Sequence, residues 1–144
     1  MSTEANKETV RRYYEDALNR GKGDVLDEIA LPDYEEHDPL PGQRTGLDGL
    51  KDRVTMLLSG LSPQFTIEDI VAEDQKVVVR WTNSGTHVGE FFGIPPTGKS
   101  FQVAGIDIHR LQEGKLAEHW HVVDVFAMLQ QLGVLPPFGG PEES

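Results

Sequence analysis

Two hydrophobic periodicities occur in this chain, and they are segregated along it. Up to Leu61 the apolar residues recur at three- and four-residue spacing, first Val10, Tyr13, Tyr14, Ala17 and Leu18, then Leu47, Leu50, Val54, Leu57, Leu58 and Leu61. From Phe65 onward β-branched and aromatic runs take over, at 65–67, 77–82, 85–88, 101–111 and 116–123. Strands gathered in one block, rather than alternating with helices, argue against a parallel βαβ sheet. They imply an α+β domain in which N-terminal helices pack on a curved antiparallel sheet. Such a sheet closed on one side by helices is a cone, and its interior is where a small ligand fits.

Local punctuation sets the expected boundaries. A first helix is expected over 7–19, ended by Gly21 and Gly23. A second, short one runs from Asp24 to Ile29 before Pro32. Residues 34–42 read as an irregular loop with His37 at its rim, and the third helix lies between Thr45-Gly46 and Ser62-Pro63. Residues 93–98 form a broad turn, and helical spacing resumes at Phe126, Met128, Leu129 and Leu132. The expected organisation is one domain over 1–135 followed by a flexible tail over 136–144, rich in glycine and proline.

Composition narrows the chemistry. The 144 residues lack cysteine, which removes disulfide frameworks, Cys-held metals and thiolate nucleophiles. Thirteen Lys and Arg against 24 Asp and Glu give a net charge of −11, with the cations scattered singly, so nucleic acid is not an expected partner. The first thirty residues carry charges throughout and contain no apolar stretch of membrane-spanning length. A cytoplasmic protein with no membrane partner is expected. Gly93-Ile94-Pro95-Pro96-Thr97-Gly98 follows a strand but opens no helix, so it is not a dinucleotide fingerprint.

The chemistry-bearing side chains concentrate on the last two strands, where Asp107, His109, His119 and His121 occur at alternate positions. A three-residue loop Gln112-Glu113-Gly114 pairs Leu111 with Lys115 and so Asp107 with His119, placing all four on one face. A two-residue Glu113-Gly114 turn shifts the pairing by one and sets Asp107 against Trp120 instead. In the first register a carboxylate beside imidazoles fixes a tautomer and suits general acid–base work near neutral pH. His121 is the expected general base, Asp107 its orienting partner and His119 a further catalytic candidate. Any one histidine taken singly reads more often as a satisfied structural residue, and it is the two histidines with an aspartate on one face that bring the catalytic reading level with it. His37 and His109 are expected to face substrate, and Trp81, Phe91 and Phe101 to supply flat apolar walls, although aromatics at such positions also serve as plain core. His87 receives no role. His119-x-His121 with Asp107 has the composition of a facial iron triad, but no further signature supports it, and neither metal nor cofactor is expected. Ile106, Ile108 and Trp120 fall on the opposite, outer face, apolar enough to predict pairing with another subunit.

Several segments taken together resemble one family: Val10-Arg11-Arg12, Pro32-Asp33-Tyr34, His87-Val88-Gly89 with Gly93-Ile94-Pro95-Pro96-Thr97, the 110–115 hairpin and Gln131-Leu132-Gly133. They are similar to the SnoaL-like polyketide cyclases, within the nuclear-transport-factor-2-like folds. The resemblance implies a cone, often dimeric, that receives a polycyclic aromatic polyketide of anthracycline type and acts on it without metal or organic cofactor. It also implies that cyclases carry an aspartate acid/base where His121 stands and a histidine where Asp107 stands, so the pair is exchanged here. A branch of the family is thought to hydroxylate such rings, and the exchange makes hydroxylation the leading expectation, ahead of aldol-type cyclisation. A non-catalytic ligand-binding or dimerisation module is the reading from another class.

Overall fold

The computed structural model describes residues 1–135. The expected tail at 136–144 lies outside them. Helix α1 (Thr3–Arg12) starts earlier than its apolar spacing suggests, because the Ser2 hydroxyl accepts the Ala5 amide hydrogen at 3.1 Å and caps it. It continues into a π-helical segment, Tyr13–Asn19, which buries Tyr13, Tyr14, Ala17 and Leu18. Such wide turns occur mostly within longer helices and at functional sites. A 3-10 turn, Gly23–Val25, leads into α2 (Leu26–Ile29).

The next segment corrects the sequence reading. Where a loop was expected, β1 (Ala30–Glu36) forms the edge of the sheet, parallel to its neighbour. Pro32 masks it in the sequence. A proline cannot donate to a ladder and suits only an edge or a bulge, and the β1 register slips between Ala30 and Glu35. After α3 (Gly46–Leu61) come β2 (Gln64–Glu73), β3 (Lys76–Thr86), β4 (Ser100–Gln112), β5 (Lys115–Val123) and α4 (Val125–Gln131). The two short strands expected at 77–82 and 85–88 are one strand, β3. The sheet order is β1-β5-β4-β3-β2, antiparallel except at the β1 edge. Helix α3 buries Leu50, Val54 and Leu61 in the same core as the inward residues of β3 and β4, so the interior lies between helices and sheet.

The β4–β5 hairpin reaches the expected face by an unexpected route. Its turn is the two-residue kind: Glu113 and Gly114 both have positive φ, and Gln112 pairs with Lys115. That alone reverses the facing of β5. A bulge one step further on, between Arg110 and Leu111, shifts the register again and sets Arg110 opposite Glu118. Two single-residue shifts restore the parity. Asp107, His109, His119 and His121 therefore share the inner face, but Asp107 stands opposite His121 rather than His119, and His109 stands opposite His119.

Gly105 lies one inward position from Asp107 and pairs with Trp81, and a Cβ there would stand 2.3 Å from the Trp81 Cζ2. Gly105→Ala must therefore push the indole out of place. It is expected to destabilise the protein by about 1–3 kcal/mol in urea denaturation, with a change in near-ultraviolet circular dichroism reporting the displaced indole.

Candidate active site

Asp107 is a buried carboxylate at the centre of the sheet's inner face. It accepts three hydrogen bonds: from the Tyr14 hydroxyl, from Trp81 Nε1 at 2.8 Å and from His119 Nε2 at 3.0 Å. Burial alone would favour the neutral acid, but the positive His119, with His109 and the Tyr14 hydrogen bond, holds Asp107 well below the usual carboxylate range.

Donor accounting then fixes the neighbouring protons. Tyr14 gives its hydrogen to Asp107, so the contact of its oxygen with His109 Nε2, at 2.8 Å, requires His109 to be the donor. His109 is thus protonated on Nε2 only. Its bare Nδ1 is buried without a partner, and burial, with the positive His119 beside it, pushes its pKa down to about 3. His119 is the opposite case. Its Nε2 meets Asp107, and its Nδ1 lies 2.8 and 2.7 Å from the two Glu36 oxygens. Burial disfavours the charge on His119, but Asp107 and Glu36 outweigh it and raise the pKa to about 9. His119 is an imidazolium that donates through both nitrogens and has no lone pair to offer.

Arg53 adds a second fixed cation. It projects from the buried side of α3, donating to the Asp38 carbonyl at 3.1 Å and lying 3.7 Å from Glu36. Its Nη2 lies 3.4 Å from both ring nitrogens of His121, and a point equidistant from both lies along neither lone pair. His121 stacks on His119 at 5.3 Å with planes 8° apart, and its backbone N–H donates to Asp38 Oδ2 at 2.8 Å. Burial, then the positive Arg53, lowers the His121 pKa below its ordinary value. His121 is neutral near pH 7, and a ring nitrogen remains uncommitted.

Asp107, His119, His121 and Arg53 line an apolar cleft between helices and sheet. Of the expected site residues, His121, Asp107, His119, Trp81 and Phe91 line it. His109 does not; it lies behind the lining, bonded to the Tyr14 hydroxyl and stacked on His119 at 4.9 Å between ring centroids. His37 is on the outer rim, 2.6 Å from Glu118 and stacked on Trp120, away from the cleft. Phe101 is core packed over Gly85. Asp107 makes no hydrogen bond to His121; its charge favours a proton on the imidazole opposite, and its hydrogen bond goes to His119 instead, so the expected direct hydrogen-bonded pair is not formed.

The sequence reading missed Tyr14, Glu36 and Arg53. Glu36 was hidden by the strand taken for a loop. Arg53 carried a usable signal, since it stands three residues after Leu50 and four before Leu57, on the apolar stripe of α3. Glu36, His119 and His121, like Asp107, His109 and His119, offer ligand atoms within 4.8 Å of one another. Both sets contain His119, whose nitrogens are already engaged with carboxylates. Ligation there needs both ion pairs broken, so the donor set fits proton chemistry better than a metal.

The chain is a helix-capped cone in which a cluster of ionisable side chains lines an apolar cleft. Residues 8–132 match the model of the SnoaL-like polyketide cyclases, and the chain belongs to that family. It is 33% identical over 140 residues to the aklanonic acid methyl ester cyclase DauD of Streptomyces sp. (strain C5), covering 92% of this chain and 83% of that protein. With the nogalonic acid methyl ester cyclase of Streptomyces nogalater the identity is 30% over 120 residues, covering 81% and 90%. Among solved structures, TsrD from Streptomyces laurentii superposes with a TM-score of 0.86 at 30% identity, covering 94% of this chain and 99% of TsrD. AclR from Streptomyces galilaeus, a proposed hydroxylase, gives 0.80 at 26% identity, covering 94% and 89%. No helix among the described residues is long and apolar enough to cross a membrane.

Two of the buried histidines, His109 and His119, make stability depend on pH in opposite directions. His119, raised to about 9 from 6.5, contributes stability that is full below about 6.5 and is lost as pH rises through 9. His109, lowered to about 3, contributes stability present above 6.5 and lost as pH falls toward 3. Thermal unfolding across pH 5–10 should therefore show a maximum near pH 6.5. His119→Gln should flatten the alkaline side, and an unchanged alkaline slope in that variant would contradict the assignment.

Proposed function

We propose that this chain closes a ring of an anthracycline-type polyketide by an intramolecular aldol reaction, with His121 as general base. The observation that carries the reading is the state of three neighbouring groups: His121 is neutral and faces the cleft, while Arg53 and the His119 imidazolium beside it are locked cations. His121 takes a proton from a carbon acidified by adjacent carbonyls, and the enolate charge develops next to the two cations. The enolate carbon then attacks a ketone of the same molecule, and the resulting alkoxide recovers the proton from His121. Atoms balance with no outside reagent, and the product is an isomer of the substrate.

Hydroxylation, the leading expectation from the sequence, becomes the second reading. It keeps the same first step but then needs dioxygen and an electron source, the substrate ring itself being the redox-active group. Its support is the exchanged pair Asp107 and His121 and the likeness to AclR. Ring closure gains weight from the relatives named as methyl ester cyclases at 30–33% identity.

The test supplies the purified protein with aklanonic or nogalonic acid methyl ester, the substrate classes named for its relatives. Ring closure gives a product of unchanged mass; a gain of one oxygen in air would move the assignment to hydroxylation; tight binding without product would make the protein a non-catalytic module. His121→Asn should lower kcat by about 10²–10⁴-fold, and Arg53→Gln by about 10²–10³-fold. Asp107→Asn acts on the same step through His119, so combining it with His121→Asn should add little further loss. Turnover that survives EDTA is expected, and loss restored by ferrous iron would replace this mechanism with iron chemistry.

A further inference from the structure

The segment joining β3 to β4 is anchored firmly at its base. Buried His87 donates its amide hydrogen to the Lys99 carbonyl at 2.9 Å, and its Nδ1 accepts from the Thr97 amide at 3.2 Å. The amides of Val88 and Gly89 both donate to the Gly60 carbonyl of α3, at 3.0 and 3.2 Å. At the tip, Phe91 and Ile94 exchange two backbone hydrogen bonds of 3.1 and 2.9 Å around a two-residue turn, Phe92-Gly93. Both turn residues have positive φ, 52° and 73°.

That turn type selects Asn or Gly at its first position, and a bulky side chain there is strained. Three other non-glycine residues with positive φ, Ser62, Asp74 and Glu113, are polar, and Phe92 is the one apolar case among the described residues. It is also 42% exposed, so packing in the core does not repay the strain. Its position offers another reason: of the residues lining the cleft, Phe92 alone is exposed, which places it at the mouth. Strain of this kind is retained where function requires the geometry.

We infer that Phe92 is a substrate-stacking residue that selects for ring number. Its ring forms the platform for the outer rings of a flat polycyclic molecule whose reacting end lies at His121. The identity of the substrate class rests on the function proposed above, while the stacking surface itself is independent of turnover. A rigid anchor suits this role, because a platform held in place loses little entropy on binding. Phe91, buried and edge-on to it at 4.6 Å between ring centroids, supports the ring.

The experiment measures binding rather than catalysis, by tryptophan quenching with two planar quinones, tricyclic alizarin and a bicyclic hydroxynaphthoquinone. Phe92→Gly and Phe92→Ala should weaken alizarin about tenfold and the bicyclic probe less than twofold, and Phe92→Tyr should restore alizarin binding. Phe92→Gly should also keep or raise Tm, since glycine relieves the positive φ, whereas loss of a packing residue lowers it. Equal weakening of both probes, no weakening of either, a fall in Tm with Phe92→Gly, or failure of the unaltered protein to bind alizarin overturns the inference. An unaltered protein that binds alizarin with this pattern yet turns over neither methyl ester refutes the proposed function and leaves the stacking role standing.

Discussion

An imidazolium clamped between two buried carboxylates organises the interior of this protein. His119 gives one N–H to Asp107 and the other to Glu36, joining β5 at once to β4 and to β1. Charges are expensive to bury, and they persist here because each has a partner: two cations, His119 and Arg53, face two carboxylates, Asp107 and Glu36. The balance also makes the cluster fragile. Removing one member leaves another buried charge unpaired, which costs more than the lost contact itself.

The clamp determines which group is free to react. Asp107 has its oxygens taken up by Tyr14, Trp81 and His119, so it is a poor proton acceptor despite its charge. His119 has no lone pair, and His109 is sealed behind Tyr14. His121 is left, its ring stacked on the clamped imidazolium and bordered by Arg53, with both neighbours disfavouring a positive charge on it. For the proposed mechanism this arrangement is favourable, because the field that depresses the His121 pKa would also stabilise the enolate it creates.

The residues of this cluster differ in how visibly the sequence announces them. The segregated periodicities give the α+β cone, because they depend on burial along many residues and tolerate local error. The shared face of Asp107, His109, His119 and His121 also follows from alternation. Their pairing does not, since it turns on one bulge next to a tight turn, and neither has an unambiguous sequence signal. Glu36 was out of reach for a different reason: β1 is an edge strand containing Pro32, and its place in the sheet depends on β5, some eighty residues away. Arg53 shows the limit of pattern reading, because a single cation on an apolar helical stripe registers as an exception until the fold places two carboxylates and an imidazole around it.

The exchange of residue types that the family resemblance implies acquires a physical meaning in this register. Asp107 and His121 are a directly opposed cross-strand pair, so swapping aspartate and histidine between these positions moves each group across one ladder step and leaves the cone unchanged. The chemistry does not stay the same. Tyr14 and Trp81 both point donors at position 107, and a carboxylate there is saturated, whereas position 121 has the Arg53 guanidinium alongside and the cleft open before it. A carboxylate at 121 would sit against Arg53 as an ion pair. The imidazole instead keeps its lone pair, and the arginine remains uncommitted to it and available to an enolate. In the proposed mechanism, placing the acid where donors converge and the imidazole beside the cleft turns the same two residue types into a clamp and a base.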